Sequence, residues 1–362
     1  MSVAGVSLED FRNYAHLSVG LAPGLNVVHG PNAQGKTNFL EALYLLSTAR
    51  LLRGFRDAEA VRTGAQRAIV RGELEPGGSR IEVVLQAGIR KRVAINGMAL
   101  PRASDLLGRL PCVCVSSADL PLVSGEPSDR RLFLDLELSA LYPSYLRSLT
   151  YYKRALEQRN ALLKAAQEQT MPDELFEPWE EQLAHHGAAM RKARRDFVED
   201  LAPTASETQC HLGNGETLSV SYAPKDDAFD EDLLREALVR SRRQEIARGS
   251  TNVGPHRDDL AIDVDGKEAR LYGSQGQQRS AMISIKLATL RHTRTLLGEP
   301  ALLLLDDVFS DLDVSRRAHL VDWVLSHAGQ AVLTCTEAES AGKELLSRSR
   351  IFQCKSGNLD ES

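Results

Sequence analysis

Leu25-Asn26-Val27-Val28 and, after His29, Gly30-Pro31-Asn32-Ala33-Gln34-Gly35-Lys36-Thr37 form the stretch from which the rest of the chain is parsed. The first four residues are an apolar strand candidate. The eight after His29 fit G-x-x-x-x-G-K-[ST] without departure, and in the following FLEALYLLSTARLL the residues Leu40, Leu43, Tyr44 and Leu46 recur at helical spacing. Strand, glycine loop and helix together give the pattern its chemistry. Gly30 and Gly35 let backbone N–H groups curl around a phosphate. The helix start, which carries Asn38, adds unpaired N–H groups and a positive dipole end. Lys36 supplies an ammonium for the β- and γ-phosphates, and Thr37 a hydroxyl for Mg²⁺. Asn32 lies in the curve of the loop. Binding of a nucleoside triphosphate with Mg²⁺ is the expectation.

A matching acidic site lies far down the chain. Leu302 to Leu305 are an all-apolar strand candidate ending in Asp306 and Asp307. Asp306 fits a carboxylate that holds Mg²⁺ through its water shell. Asp307, one residue further, fits a general base that orients the attacking water. Lys36 and Asp306 stand 270 residues apart, so a long insertion divides one site. The intervening residues change character accordingly. Up to about residue 128 strands dominate, including a hairpin across Pro76-Gly77-Gly78 and PCVCV at 111–115, read as a central strand. From 129 to 248 the pattern is mainly helical, with a second long helix from Trp179 to near Pro203 and a short strand at SETQCHLG. Beyond Gly249 strands and helices alternate again. The expected fold is α/β: a P-loop ATPase head in two parts, 1–128 and 249–362, with a mainly helical arm, 129–248, inserted.

Composition narrows the class. Of 362 residues 43% are apolar and 26% charged, enough to bury a core without staples. Lys plus Arg is 44 against 49 Asp plus Glu, a net charge of -5, which excludes a histone-like basic protein but not local basic tracks. Five cysteines, with no C-x-x-C pair, indicate neither a zinc ribbon nor a thioredoxin-like site and fit a reducing compartment. MSVAGVSLEDFRNY has no signal-peptide pattern, and no apolar run approaches a membrane span. A cytoplasmic protein with no membrane partner is expected.

Two distant nucleotide motifs split by an inserted arm resemble the ABC ATPase superfamily, and within it the SMC and Rad50-like branch. That branch carries a signature ahead of the acidic strand, and Gly273-Ser274-Gln275-Gly276-Gln277-Gln278-Arg279 is similar to it, with Tyr272 at the leucine position and Gln275 at the first glycine position. Ser274 suits a helix N-cap and Gly276 a flexible backbone. The resemblance implies that Ser274, Gly276 and Gln277 meet the γ-phosphate bound by a partner subunit. It also implies that Ser310-Asp311-Leu312-Asp313 is the loop across that dimer interface, so Asp311 joins the site.

A closer resemblance is to the RecF family of bacterial replication and repair proteins. It rests on FRNY (11–14), GPNAQGKTN (30–38), GEPSDRRLFLD (125–135), GPHRDDL (254–260), GSQGQQRS (273–280) and LLLLDDVFSDLD (302–313). It implies a weak, Mg²⁺-dependent ATPase whose two heads sandwich two ATP molecules over duplex DNA at single-strand/double-strand junctions. It further implies help in loading a recombinase, with RecR and RecO as partners. Arg12 is placed near the nucleotide. Arg130 and Arg131 either bridge carboxylates or touch nucleotide or DNA; His256 and Arg257 either make a salt-bridge corner or serve the site. Two departures point to slow turnover. Leu333-Thr334-Cys335-Thr336-Glu337 lacks the usual switch histidine, leaving only the hydroxyls of Thr334 and Thr336. Asp307 stands where transporters carry Glu. Ser117 and Ala118 also depart from the family pattern, which leaves a Mg²⁺-sensing role for Asp119 open.

DNA contact needs cations, and three stretches, Arg50–Arg71, Arg147–Lys164 and Arg235–Arg257, each sum to +4. Aromatic residues are only 5%, which disfavours base stacking and favours duplex recognition through phosphates. The alternatives are a nucleotide-gated DNA-binding adaptor with incidental turnover, and another SMC- or Rad50-like head.

Overall fold

The computed structural model describes residues 1–53, 56–213 and 215–362; the side chain of Asp311 lies outside the described residues. The chain opens with β1 (Ser2–Phe11), β2 (Tyr14–Gly20), β3 (Leu25–His29), α1 (Lys36–Thr48), β4 (Arg67–Glu75), β5 (Ser79–Gln86), β6 (Ile89–Ile95), β7 (Met98–Ala99) and β8 (Cys112–Ser116). Then come α2 (Pro121–Ser124), α3 (Pro127–Leu141), α4 (Pro143–Ala165), α5 (Glu177–Leu212), β9 (Leu218–Ala223), α6 (Glu231–Arg248), β10 (Asp259–Val264), β11 (Lys267–Glu268) and α7 (Ala269–Tyr272). It closes with α8 (Gln275–Leu297), β12 (Leu302–Asp306), α9 (Val314–His327), β13 (Ala331–Cys335), α10 (Lys343–Ser347), β14 (Ser349–Lys355) and β15 (Asn358–Glu361).

These elements fall into two compact units. The first is Met1–Leu120, Glu207–Glu216 and Arg279–Ser362; the second is Pro121–Ser206 and Thr217–Gln278. In the first unit one sheet has the order β15-β14-β3-β13-β12-β8, parallel throughout except for β15. Its inner strands β12 and β13 are buried at every position, as continuous apolar runs require. β8, expected to be central, is an edge strand and, among the described residues, pairs only with β12. Its apolar residues report burial of its faces, which composition alone does not distinguish from a central position. The second sheet, β2-β1-β4-β5-β6-β7, is antiparallel. Helix α1 packs against β4 and β5 of this sheet and against β8, β12 and β13 of the other. Phe39, Leu40, Leu43 and Leu46 are fully buried there, each contributing about 1.5–3 kcal/mol of apolar burial.

The second unit contains α2, α3, α4, α6, α7, most of α5 and the sheet β11-β10-β9. Because β10 pairs with β9 along Asp259–Val264, residues 249–278 fold with this unit and not with the expected second part of the head. Another expectation is overturned at Pro203. Helix α5 runs through it to Leu212, so SETQCHLG is helix and not strand. An interior proline costs a hydrogen bond and about 3 kcal/mol. Burial of Leu201, Ala205, Thr208, Gln209 and Leu212, a helical spacing, offsets it.

Many basic residues counted along the sequence are consumed inside the units. Arg159 is fully buried and pairs with Glu180 and Glu245 at 3.0 and 2.6 Å. Arg242 pairs with Glu180, Arg62 with Asp10, and Arg71 with Glu9 and Glu82. A local sum of +4 therefore overstates the charge offered to a partner. Among the described residues, no helix is long and apolar enough to cross a membrane.

Candidate nucleotide site

The loop between β3 and α1 has little freedom to be anything else. Gly30 has φ 147°, and a Cβ there would lie 2.4 Å from the carbonyl oxygen of Cys354. Gly35 has φ 122°, and a Cβ would meet the Asn13 amide nitrogen at 2.6 Å. Both positions demand glycine. Around them the loop is braced. The Asn13 amide donates to Gln34 O at 2.8 Å and the buried Tyr14 hydroxyl to Gly35 O at 3.0 Å. The Ser356 N–H donates to the Gln34 side chain at 2.8 Å. Burial beneath the loop pushes the Tyr14 phenol well above its ordinary value.

Helix α1 begins at Lys36 without a side-chain cap, and its first internal bond runs from Phe39 N–H to Gly35 O. The amides of Lys36, Thr37 and Asn38 are therefore helix-terminal donors, the arrangement that receives an anion. The Lys36 ammonium is buried and donates to Gly30 O at 2.6 Å and Pro31 O at 2.9 Å. An ammonium has three donors, so one remains.

Residues far apart in sequence meet beside Thr37. Its hydroxyl donates to Asp306 Oδ1 at 2.8 Å, and the Thr334 hydroxyl donates to the same oxygen at 2.9 Å. Arg53 Nη2 reaches Asp306 Oδ2 at 3.1 Å. Asp307 has φ 52°, and its N–H donates to Thr334 Oγ1 at 3.0 Å. A hydroxyl next to a buried carboxylate is a hard-oxygen pair, and that donor chemistry fits Mg²⁺.

Sequence reasoning missed part of this network. Glu41, buried in α1, accepts two bonds from the Arg12 guanidinium, at 2.7 and 3.0 Å, and one from Arg53 N–H. Arg12 also donates to the carbonyls of Glu59 and Arg53. The geometry makes Arg12 a brace for the segment that carries Arg53. Neither Glu41 nor Arg53 belongs to a motif; an acidic residue on the otherwise apolar face of α1 was the available signal. Asp119 accepts from Ser116 N–H and hydroxyl and lies 3.7 Å from Lys286. The Thr334 hydroxyl is hydrogen-bonded to Asp306 Oδ1 and to Asp307 N–H.

The signature residues lie in the second unit. Ser274 caps α8, accepting from Gln277 N–H at 3.2 Å while its own N–H donates to the Gln277 side chain at 3.0 Å. Ser274 and Gly276 are exposed and Gln277 is half-buried. Arg130 pairs bidentately with Asp259, at 2.7 and 2.9 Å, so it bridges a carboxylate. The neighbouring Arg131 does not; its Nη1 donates to Asp258 O. His256 makes a hydrogen-bonded corner, with Nδ1 2.7 Å from the Tyr152 hydroxyl and Nε2 3.0 Å from Thr251 O.

A phosphate loop and a distant acidic strand end that share one sheet edge, with a helical insertion between them in sequence, are how an ATPase head of the SMC type is built. The family model described as RecF/RecN/SMC N-terminal domain matches residues 2–355. The chain belongs to the RecF family. It is 41% identical to the DNA replication and repair protein RecF of Symbiobacterium thermophilum, over 99% of this chain and 98% of that one. It is 38% identical to that of Roseiflexus castenholzii, over 99% of each. A solved structure of the recombination mediator protein RecF with ATP superposes with a TM-score of 0.89 at 31% identity, covering 100% of this chain and 97% of that one. An SMC head bound to the C-terminal winged-helix domain of ScpA shares the fold, with a TM-score of 0.58 at 13% identity.

Proposed function

We propose that this chain is an ATP-dependent DNA-binding ATPase of recombinational repair that acts as a head-to-tail dimer. The observation that carries the nucleotide part is the convergence of Lys36, Thr37 and Asp306 on one sheet edge. Gly30, Asn32, Gly35 and the amides of Lys36 to Asn38 cradle the phosphates. Thr37 and Asp306 are the residues that would hold Mg²⁺, which would supply charge neutralisation for the bound phosphates. Asp307 takes the proton of the attacking water. With Thr334 occupied in holding Asp306 and no histidine in the strand end, turnover is slow, as suits a timed clamp.

The dimer reading draws on surface chemistry. Leu271 and Tyr272, directly before Gly273-Ser274, are 63% and 70% exposed, and Val314, directly after the Ser310–Asp313 loop, is 83% exposed. Apolar side chains held in water beside both predicted interface motifs suit burial against a second copy. There Ser274, Gly276 and Gln277 of one copy would meet the γ-phosphate of the other. The repair role, at duplex DNA next to single-strand gaps and with RecR and RecO, follows from the kinship with RecF proteins; the site is cytoplasmic and nucleoid-associated.

Sedimentation with and without ATP and a short duplex tests the reading. The parent should shift to a dimer with ATP and carry duplex with it. Lys36→Ala should remain monomeric, because the phosphates lose their buried cation. A Lys36→Ala protein that binds ATP and dimerises like the parent would remove the phosphate loop from the mechanism.

A further inference from the structure

Three arginines donate to main-chain carbonyls of the turn from Thr251 to Asp258 in the second unit, which Asn160, Glu245 and His256 also hold. Arg194 Nη1 donates to Pro255 O at 2.7 Å. Arg131 Nη1 donates to Asp258 O at 2.8 Å. Arg257 folds back on its own turn, with Nε and Nη2 3.2 and 3.0 Å from Thr251 O and Nη2 3.1 Å from Asn252 Oδ1. Gly254, at φ 119°, and the Arg257 N–H to Gly254 O bond set the bend.

Charge balance separates these arginines. Arg194 pairs with Asp135 at 2.8 Å, although Lys153 shares that carboxylate at 3.4 Å. Arg191 takes Asp226 and the buried Asp258. Among the described residues, neither Arg131 nor Arg257 has a carboxylate within salt-bridge distance; their acceptors are neutral oxygens. Five cations (Arg131, Lys153, Arg191, Arg194, Arg257) thus surround three carboxylates (Asp135, Asp226, Asp258). Partial burial and the positive charges of Arg194 and Arg257 depress the Arg131 guanidinium below its ordinary value. Placing the half-buried Arg131 beside the buried Arg194 and the exposed Arg257 is unfavourable at rest, and satisfying turn carbonyls does not require charge. An oxyanion relieves the repulsion, and the guanidinium fork matches phosphate oxygens.

We propose that Arg131 and Arg257, fixed by main-chain carbonyls of the 251–258 turn, form a phosphodiester-binding site for the backbone of duplex DNA. The inference rests on the reading of the chain as a DNA-binding ATPase and assigns part of that binding to named residues. Arg131 lies outside the three basic stretches and Arg257 ends the third of them, where Arg242, by contrast, pairs with Glu180. Contacts to phosphates alone carry no base preference.

Fluorescence anisotropy of a labelled duplex with ATP, over a series of salt concentrations, tests it on the parent, Arg131→Gln, Arg257→Gln and the double variant. Isothermal titration with ATP and with inorganic phosphate runs beside it. Each single variant should weaken duplex binding roughly tenfold at moderate salt and reduce the slope of log affinity against log salt by about one. ATP affinity should not change. Arg257 is exposed, so Arg257→Gln preserves the test if Arg131→Gln fails to fold. Folded variants with parental duplex affinity and salt slope would overturn the site while leaving DNA binding intact. Loss of ATP binding in the variants would overturn it in favour of a nucleotide site, whereas loss of inorganic-phosphate binding with ATP binding intact supports it. A parent that binds ATP but no duplex at any salt would overturn the DNA-binding reading, and this site with it.

Discussion

Thr334 ties two neighbouring carboxylate residues together. Its hydroxyl donates to Asp306 Oδ1 and accepts from Asp307 N–H, so one side chain orients the proposed metal carboxylate and the proposed base. Thr334→Val should keep the fold and ATP binding but lower kcat roughly tenfold, the worth of one buried hydrogen bond to a charged group. Thr334→Ser should restore it. A parental kcat for the valine variant would leave the hydroxyl with only a packing role. His256 offers a second test. Burial is the main reason its imidazole is pushed down from 6.5 to about 4; Arg257 and Arg131 lower it further, while Thr251 O and Asp258 oppose this. The folded state therefore binds fewer protons than the unfolded state between these values. Its contribution to stability is full above about pH 6.5 and is lost as pH falls toward about 4. Urea unfolding across that range should show a steeper acid loss for the parent than for His256→Gln; parallel curves would contradict the shift.

Elements differ in how readable they were. β3, β12 and α1 were legible because long apolar runs and helical spacing are local properties. So was the meeting of Lys36, Thr37 and Asp306, because the loop pattern and the strand-end carboxylates are each specific. α5 was not, since the local signal of Pro203 loses to a buried face formed by Leu201, Ala205 and Leu212. The Arg12–Glu41–Arg53–Asp306 chain was not either, because its members lie in four separate segments and only folding brings them into reach. Charge stretches misled for a related reason: whether Arg159 faces water depends on where Glu180 and Glu245 end up. That buried trio joins α4, α5 and α6. Arg159→Ala should cost about 3–5 kcal/mol, because it leaves the buried Glu245 without its cation and Glu180 with Arg242 alone. Thermal unfolding would show it as a loss of several degrees or more, and a variant melting with the parent would mean that water replaces the guanidinium.

At the scale of the whole molecule, the dimer makes its own demand. Ser274→Arg should leave ATP binding by the single head intact, since the phosphate loop does not use Ser274. It should abolish ATP-driven dimerisation and with it turnover. Mixing it with Lys36→Ala should recover part of both, because one composite site then has a sound loop and a sound signature. Analytical ultracentrifugation of the mixture measures this; Ser274→Arg protein that dimerises normally would refute head-to-tail pairing. The sheet order has a different consequence, in the timing of synthesis. β3 lies between β13 and β14, Val27 being opposite Leu333 on one side and Ile351 on the other. The loop's near wall at Cys354 and its latch at Ser356 come from the same late segment. On a ribosome adding ~5–20 residues per second, the nucleotide motif emerges on the order of half a minute before the strands that shape it. Until then β3 has two open edges, a liability for strand pairing between nascent chains. A nascent chain halted before β13 would display the complete phosphate-loop motif and still lack a pocket to put it in.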